Sequence, residues 1–187
     1  MKISQAGIDL IKVFEGCRLS AYLCPAKVPT IGYGHTAGVK MGQTITQAQA
    51  EQFLREDLAK YEEKVMKYDS TYHWNQNEFD ALVSFAYNIG SIDQLTATGT
   101  RDRSMIATKM LQYNKASGSV LPGLTKRRKA EQELFLKPVE NKVAEITQQK
   151  SYYVRIRKDY KKRANAKALK QQLKEAGFDA IIVKEVK

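Results

Sequence analysis

Glu15, Cys24 and Thr30 set a carboxylic acid, a thiol and a hydroxyl within sixteen residues, leading into the glycine-punctuated run I-G-Y-G-H-T. A carboxylic acid can protonate a leaving oxygen, while a thiol and a hydroxyl can hold or activate a water beside it. Ile8, Leu10, Ile11 and Phe14 recur at helical spacing, so Glu15 is expected on the last turn of a helix over residues 1–14 that Gly16 helps to end. Shielding by Phe14 is the kind of environment in which a general acid keeps a proton near neutral pH. The alternation around Ala21 to Leu23, and then from Val28 to Tyr33, predicts a short hairpin interrupted by Pro25 and Pro29. Cys24 and Thr30 would lie on or beside it, facing the helix end across a cleft, with Gly32 and Gly34 permitting close backbone approach. Each residue also has a plainer role: Glu15 as a surface carboxylate, Cys24 as a small buried hydrophobe, Thr30 as a β-branched strand residue.

The spacing Glu15, eight residues, Cys24, five residues, Thr30, followed directly by I-G-Y-G-H-T, resembles the catalytic signature of the phage-type lysozymes, glycoside hydrolase family 24. F-D-A-L-V-S-F-A-Y-N-I-G from Phe79 to Gly90 resembles that family's central buried helix. L-P-G-L-T-K-R-R-K-A-E-Q-E-L-F from Leu121 to Phe135 resembles its closing basic segment. The resemblance implies an α+β, two-lobed fold: a small β lobe, a long linking helix and a helical lobe. It also implies that Glu15 protonates the glycosidic oxygen between N-acetylmuramic acid and N-acetylglucosamine, with Cys24 and Thr30 guiding water to the opposite face. Cys24 departs from the common pattern, which has Asp there. A thiol with an ordinary pKa of about 8.5 is mostly neutral at pH 7 unless its surroundings lower that value. Lytic transglycosylation, in which the muramic 6-hydroxyl replaces water, stays open for that reason. The resemblance further implies a sugar-facing amide at Asn88, which could instead simply end its helix beside Gly90. It places an arginine near the acid, Arg127 being the better match, with a solvated helix face as the alternative. His35 is expected in a structural pair with Asp57, and no His, Cys or Asp spacing suits a metal; no cofactor is expected.

The elements that must position these residues can be read in outline. Thr46 starts a long amphipathic helix with good helix formers, and Thr44 and Thr46 are candidate caps. From Asn75 onward Phe79, Leu82, Val83, Phe85, Ala86 and Ile89 cover most of a helix circumference, predicting burial on nearly all sides. Residues 93–104 read as a loop or short helices, Met105 to Tyr113 as a short helix, and Arg127 and Arg128 as following a Pro-Gly turn and opening a last helix.

After about residue 140 the composition changes. Residues 141–150 read as a connector and 151–187 as a β-α-β extension, its helix capped by Asn165 and closed by Gly177. That extension holds 11 Lys or Arg and 4 Asp or Glu, supplying +7 of the chain's net charge of +11. Its pattern resembles half of a SPOR-type peptidoglycan-binding domain. One such unit cannot bury its sheet alone, so it is expected to pack on the first domain, residues 1–140, or to pair with another copy; otherwise a monomer is expected.

A chain of 187 residues can bury a full core. No apolar run reaches the length of a membrane span, and Asp9 and Lys12 interrupt what would be a signal-peptide core. A host bacterial cytoplasm is therefore the expected compartment, with a holin-like factor needed to reach the wall, and Cys17 and Cys24 are expected as free thiols. The basic charge suits an anionic partner. Peptidoglycan rather than nucleic acid is expected, the competing reading being a non-catalytic envelope- or nucleic-acid-binding protein.

Overall fold

The computed structural model describes residues 1–139 and 171–172. The chain divides into two units, Met1–Val139 and Glu140–Lys187. In the second, only Gln171 and Gln172 are described, both helical and exposed. The expected connector, both strands and the rest of the β-α-β extension lie outside the described residues.

The first unit is a mixed α+β structure. Its elements are α1 (Gln5–Glu15), β1 (Arg18–Leu23), β2 (Pro29–Gly32), α2 (Gln47–Met66), α3 (Asp69–Tyr72), α4 (Gln76–Ile89), α5 (Arg103–Met110), β3 (Lys115–Ala116), β4 (Ser119–Val120) and α6 (Pro122–Leu136). β1 and β2 form an antiparallel hairpin pairing Tyr22 with Thr30, and Pro29 opens β2, where its missing N–H costs least. Bridges from Ser20 to Thr44 and from Ile31 to His35 complete the small lobe. β3 and β4 make a second, two-residue hairpin that periodicity did not reveal. Among the described residues no helix is long and apolar enough to cross a membrane.

Two capping boxes start the long helices. Thr46 accepts from the Gln49 N–H while Gln49 reaches back to the Thr46 N–H, and Asn75 and Glu78 do the same for α4. Thr44 instead serves as a bridge residue. Pro122 and Gly123 form no separate turn; Pro122 sits inside the first turn of α6, where a fixed φ favours the helix.

α4 is the central post. Every residue from Glu78 to Ala86 is buried on it, and Phe79, Leu82, Val83 and Phe85 have no exposed surface. Each such Leu or Phe contributes about 1.5–3 kcal/mol relative to exposure. α1, α2 and α6 all pack against this post.

The seating of α1 decides where its last residue points. Ser4 precedes the helix but does not cap it; its N–H donates to Asp80 Oδ1 at 2.9 Å, and its hydroxyl donates to Oδ2. Gly7 follows one turn later, and a Cβ there would stand 2.8 Å from Asp80 Cβ. Without a side chain at that position, α1 lies directly on α4 and delivers Glu15 to the end of the post.

Candidate active site

Glu15 is the last residue of α1, before Gly16 turns the chain away. Its Oε1 accepts from Arg127 Nη1 at 2.6 Å, and its side chain keeps 24% of its surface exposed. It lines an open cavity of about 330 Å³ with Gly34, Thr36, Asp57, Lys60, Tyr61, Tyr87 and Asn88. Among the described residues no group bonds Glu15 Oε2.

Arg127 is not on a solvated face. It is 3% exposed, and beyond Glu15 its Nε donates to Glu131 Oε1 at 3.1 Å and its Nη2 to the Ser84 carbonyl at 3.2 Å. Its guanidinium carbon also lies 5.7 Å from the Phe14 ring centroid. The arginine thus touches the acid from the protein side, with every nitrogen committed.

Tyr87, on the last full turn of α4, donates to the Tyr33 carbonyl at 2.8 Å and ties the post to the small lobe. Gly34 makes room for this contact: its φ is 106°, and a Cβ would meet the Tyr87 hydroxyl at 3.4 Å. Burial pushes the Tyr87 phenol well above its ordinary value, with the neighbouring Glu15 charge the next cause. Tyr61 lies edge-on to Tyr87 at 5.3 Å, and Lys60 stands over the Tyr61 ring. Asn88 is exposed and lines the cavity, while the end of α4 is made by Gly90, whose N–H donates to the Ala86 carbonyl.

Cys24 and Thr30 lie together on the β1–β2 hairpin. The Cys24 N–H donates to the Val28 carbonyl at 3.1 Å, the Lys27 N–H donates to the Cys24 carbonyl at 2.8 Å, and this turn holds Lys27 at φ 59°. The backbone N–H of Val28 is the largest influence pulling the Cys24 thiol below its ordinary value; that of Ala26 and the Thr30 hydroxyl add to it. Thr30 is 3% exposed, and its hydroxyl donates to the Val28 carbonyl at 2.9 Å, with the thiolate as its alternative acceptor. Neither residue lines the cavity that Glu15 shares with Asn88. The expected sites thus fall into two groups: Glu15 and Asn88 lining the cavity, with the buried Arg127 bonded to Glu15 behind it, and Cys24 with Thr30 on the hairpin. Cys17 is exposed, Cys24 is half-buried, and neither is in a disulfide.

His35 Nδ1 lies 2.8 Å from Asp57 Oδ2, its Nε2 is 3.0 Å from the Ala37 carbonyl, and its ring stacks on Phe53. The pairing with Asp57 is the expected one. Asp57 nevertheless also reaches the cavity, which the sequence did not indicate. Lys60, Tyr61 and Tyr87 were missed as well, although their spacing along α2 and α4 turns them towards Glu15 once the helices pack.

The phage lysozyme family model matches residues 12–131. An endolysin of Lactococcus phage c2 is 47% identical over 147 residues, covering 75% of this chain and 63% of the relative. This chain therefore spans under two thirds of that relative's length. An endolysin of Acyrthosiphon pisum secondary endosymbiont phage 1 is 41% identical over 144 residues, covering 72% of this chain and 98% of the relative. Among solved structures, the muramidase domain of SpmX from Asticaccaulis excentricus superposes with a TM-score of 0.64 at 38% identity, covering 73% of this chain and 99% of that one. The endolysin from Escherichia coli O157:H7 phage FAHEc1 gives 0.61 at 38% identity, covering 73% and 94%. With its acid at the end of α1, its small hairpin lobe and its central buried helix, the chain belongs to the phage lysozyme family.

Proposed function

We propose that the chain is an endolysin of glycoside hydrolase family 24 that cleaves the bond between N-acetylmuramic acid and N-acetylglucosamine in bacterial peptidoglycan. The observation that carries this reading is Glu15 itself: one carboxyl oxygen is held by Arg127, and the other, unbonded among the described residues, lies at the edge of a cavity beside Asn88 and two tyrosines. Glu15 donates its proton to the bridging oxygen as the bond from the muramic C1 breaks, leaving an oxocarbenium-like centre. Water adds to that carbon and loses a proton, with the Cys24 sulfur, whose ionisation the Val28 N–H favours, as its proposed acceptor or holder and Thr30 beside it. Asn88 bonds a sugar substituent, and Arg127 holds the acid in place.

Residues 1–140 carry the reaction, 141–150 connect, and the basic 151–187 unit binds cell wall. The protein accumulates in the host cytoplasm as a monomer and reaches peptidoglycan after a holin-like factor opens the membrane. Turbidity loss of purified walls with wild type and Glu15→Gln tests the reading: lysis is expected with the first and not the second. Mass analysis of the fragments then separates hydrolysis, which leaves reducing ends, from transglycosylation, which leaves anhydro-muramic ends. The thiol at position 24 makes that distinction necessary. Lysis undiminished in Glu15→Gln would overturn the assignment of the acid.

A further inference from the structure

Behind Arg127 lies a second ionised layer that never reaches solvent. Glu131 has no exposed surface, and its Oε1 accepts from the Ser84 hydroxyl at 2.8 Å, from Arg127 Nε at 3.1 Å and from Arg128 Nη2 at 2.9 Å. Arg128 is also fully buried; its Nε lies 2.8 Å from Glu131 Oε2, and its guanidinium carbon is 4.7 Å from the Phe85 ring centroid. Burial pushes the Glu131 carboxyl up against the pull of both guanidiniums and the Ser84 hydroxyl, and it lowers Arg128. The ionised carboxylate is nonetheless the form that satisfies two cations at once. Two guanidiniums and Glu131, all buried, then balance with the partly exposed Glu15. When Glu15 carries a proton, Glu131 is the anion left to offset both arginines.

We propose that Glu131 is a positioning residue that, by engaging the inner side of Arg127 and balancing Arg128, sets the pH range over which the wall is lysed. This rests on the reading of Glu15 as the acid. The other charged or titratable groups around Glu15 are Arg127 from α6, Tyr87 from α4, and Asp57, Lys60 and Tyr61 from α2, and the small lobe lines the cavity there with Gly34 and Thr36. Glu131 and Arg128, behind Arg127, do not line that cavity.

The test is the pH profile of wall lysis by the full chain, for wild type, Glu131→Gln, Arg128→Met and the double variant, with thermal melting to report folding. Glu131→Gln leaves two cations with Glu15 as their one anionic neighbour, and moves the alkaline loss of activity down by about one pH unit. Arg128→Met removes a cation and moves it up. The double variant restores the wild-type midpoint, because a neutral pair has replaced an ion pair. If one single variant does not fold, the opposite shift in the other and the restoration in the double still decide the matter. A merely structural role lowers melting temperature and maximal rate while leaving the midpoint fixed, and a fixed midpoint overturns the proposal. Absence of lysis by wild type would overturn the hydrolase reading and this inference together, whereas lysis with an immovable midpoint overturns this inference alone.

Discussion

Arg127 Nη1 donates to Glu15 Oε1 at 2.6 Å across 112 positions of chain, so the first helix and the last helix of the described unit meet at the candidate acid. The arginine makes three different contacts from one planar group, to Glu15, Glu131 and the Ser84 carbonyl. A lysine has the charge but not the fork. Arg127→Lys is expected to fold and to lose roughly ten- to hundredfold in lysis rate, as the acid drifts from its set position. Rates at fixed pH, with circular dichroism as the folding control, check this. An unchanged rate would show that charge alone suffices.

The Cys24 thiol should be unusually easy to ionise. In a Cys17→Ser background, the pH midpoint of Cys24 alkylation is expected below the ordinary thiol value of about 8.5. The Val28 N–H is the chief cause, and the Thr30 hydroxyl contributes. Thr30→Val should therefore raise the midpoint, a shift that alkylation kinetics would resolve. Replacing Cys24 by Asp and by Ser then separates a base from a water-holder: Asp should keep lysis, while Ser keeps it only if residue 24 need not ionise.

Acid stability has a local contributor at Asp93. The Tyr68 hydroxyl, then Ser91, then Lys67, hold its carboxyl at about 2, below the ordinary 3.8. A carboxyl depressed on folding stabilises fully above its unfolded value, and that stability is lost as pH falls towards the folded one. Melting temperature should thus drop between about pH 4 and pH 2 more steeply in wild type than in Asp93→Asn. The effect will be modest, because the Asp93 side chain is 45% exposed and solvent screens it. Identical slopes in the two proteins would exclude the contribution.

Gly7 is expected to tolerate no side chain. A Cβ there would stand 2.6 Å from Ile3 Cγ1 and 2.8 Å from Asp80 Cβ. Gly7→Ala should cost about 1–3 kcal/mol in urea unfolding, and it should reduce lysis because α1 carries Glu15 away from α4. Full activity with lowered stability would mean that the end of α1 is fixed independently of its start.

The sequence was most informative where local chemistry decides local structure. Thr46 was legible as a cap, although its partner Gln49 and the Asn75–Glu78 box emerged only from the structure, and the all-round apolar pattern from Phe79 to Ala86 announced the central post. Glu15 at a helix end followed from Ile8, Ile11 and Gly16. α6 was harder to read. The side chains it buries include Arg127, Arg128, Glu131 and Phe135, so its inward stripe is largely charged, and R-R-K-A-E reads in isolation as a solvated face. Its burial is decided by Ser84 and Phe85 on another helix, which no window along α6 contains. Cavity residues such as Lys60 and Tyr87 were hidden for the same reason: their meeting depends on how α2 and α4 pack. The β3–β4 hairpin is too short for any period to register.

The small lobe is fastened to the helices at the rim of the cavity. The Tyr87 hydroxyl donates to the Tyr33 carbonyl beside Gly34, and His35 pairs with Asp57 a few residues on, so the small lobe is pinned to α4 and to α2 at the cavity itself. On the reading proposed above, a glycan strand would lie along a wall that is already fastened from both sides, with the acid on one flank and the hairpin on the other.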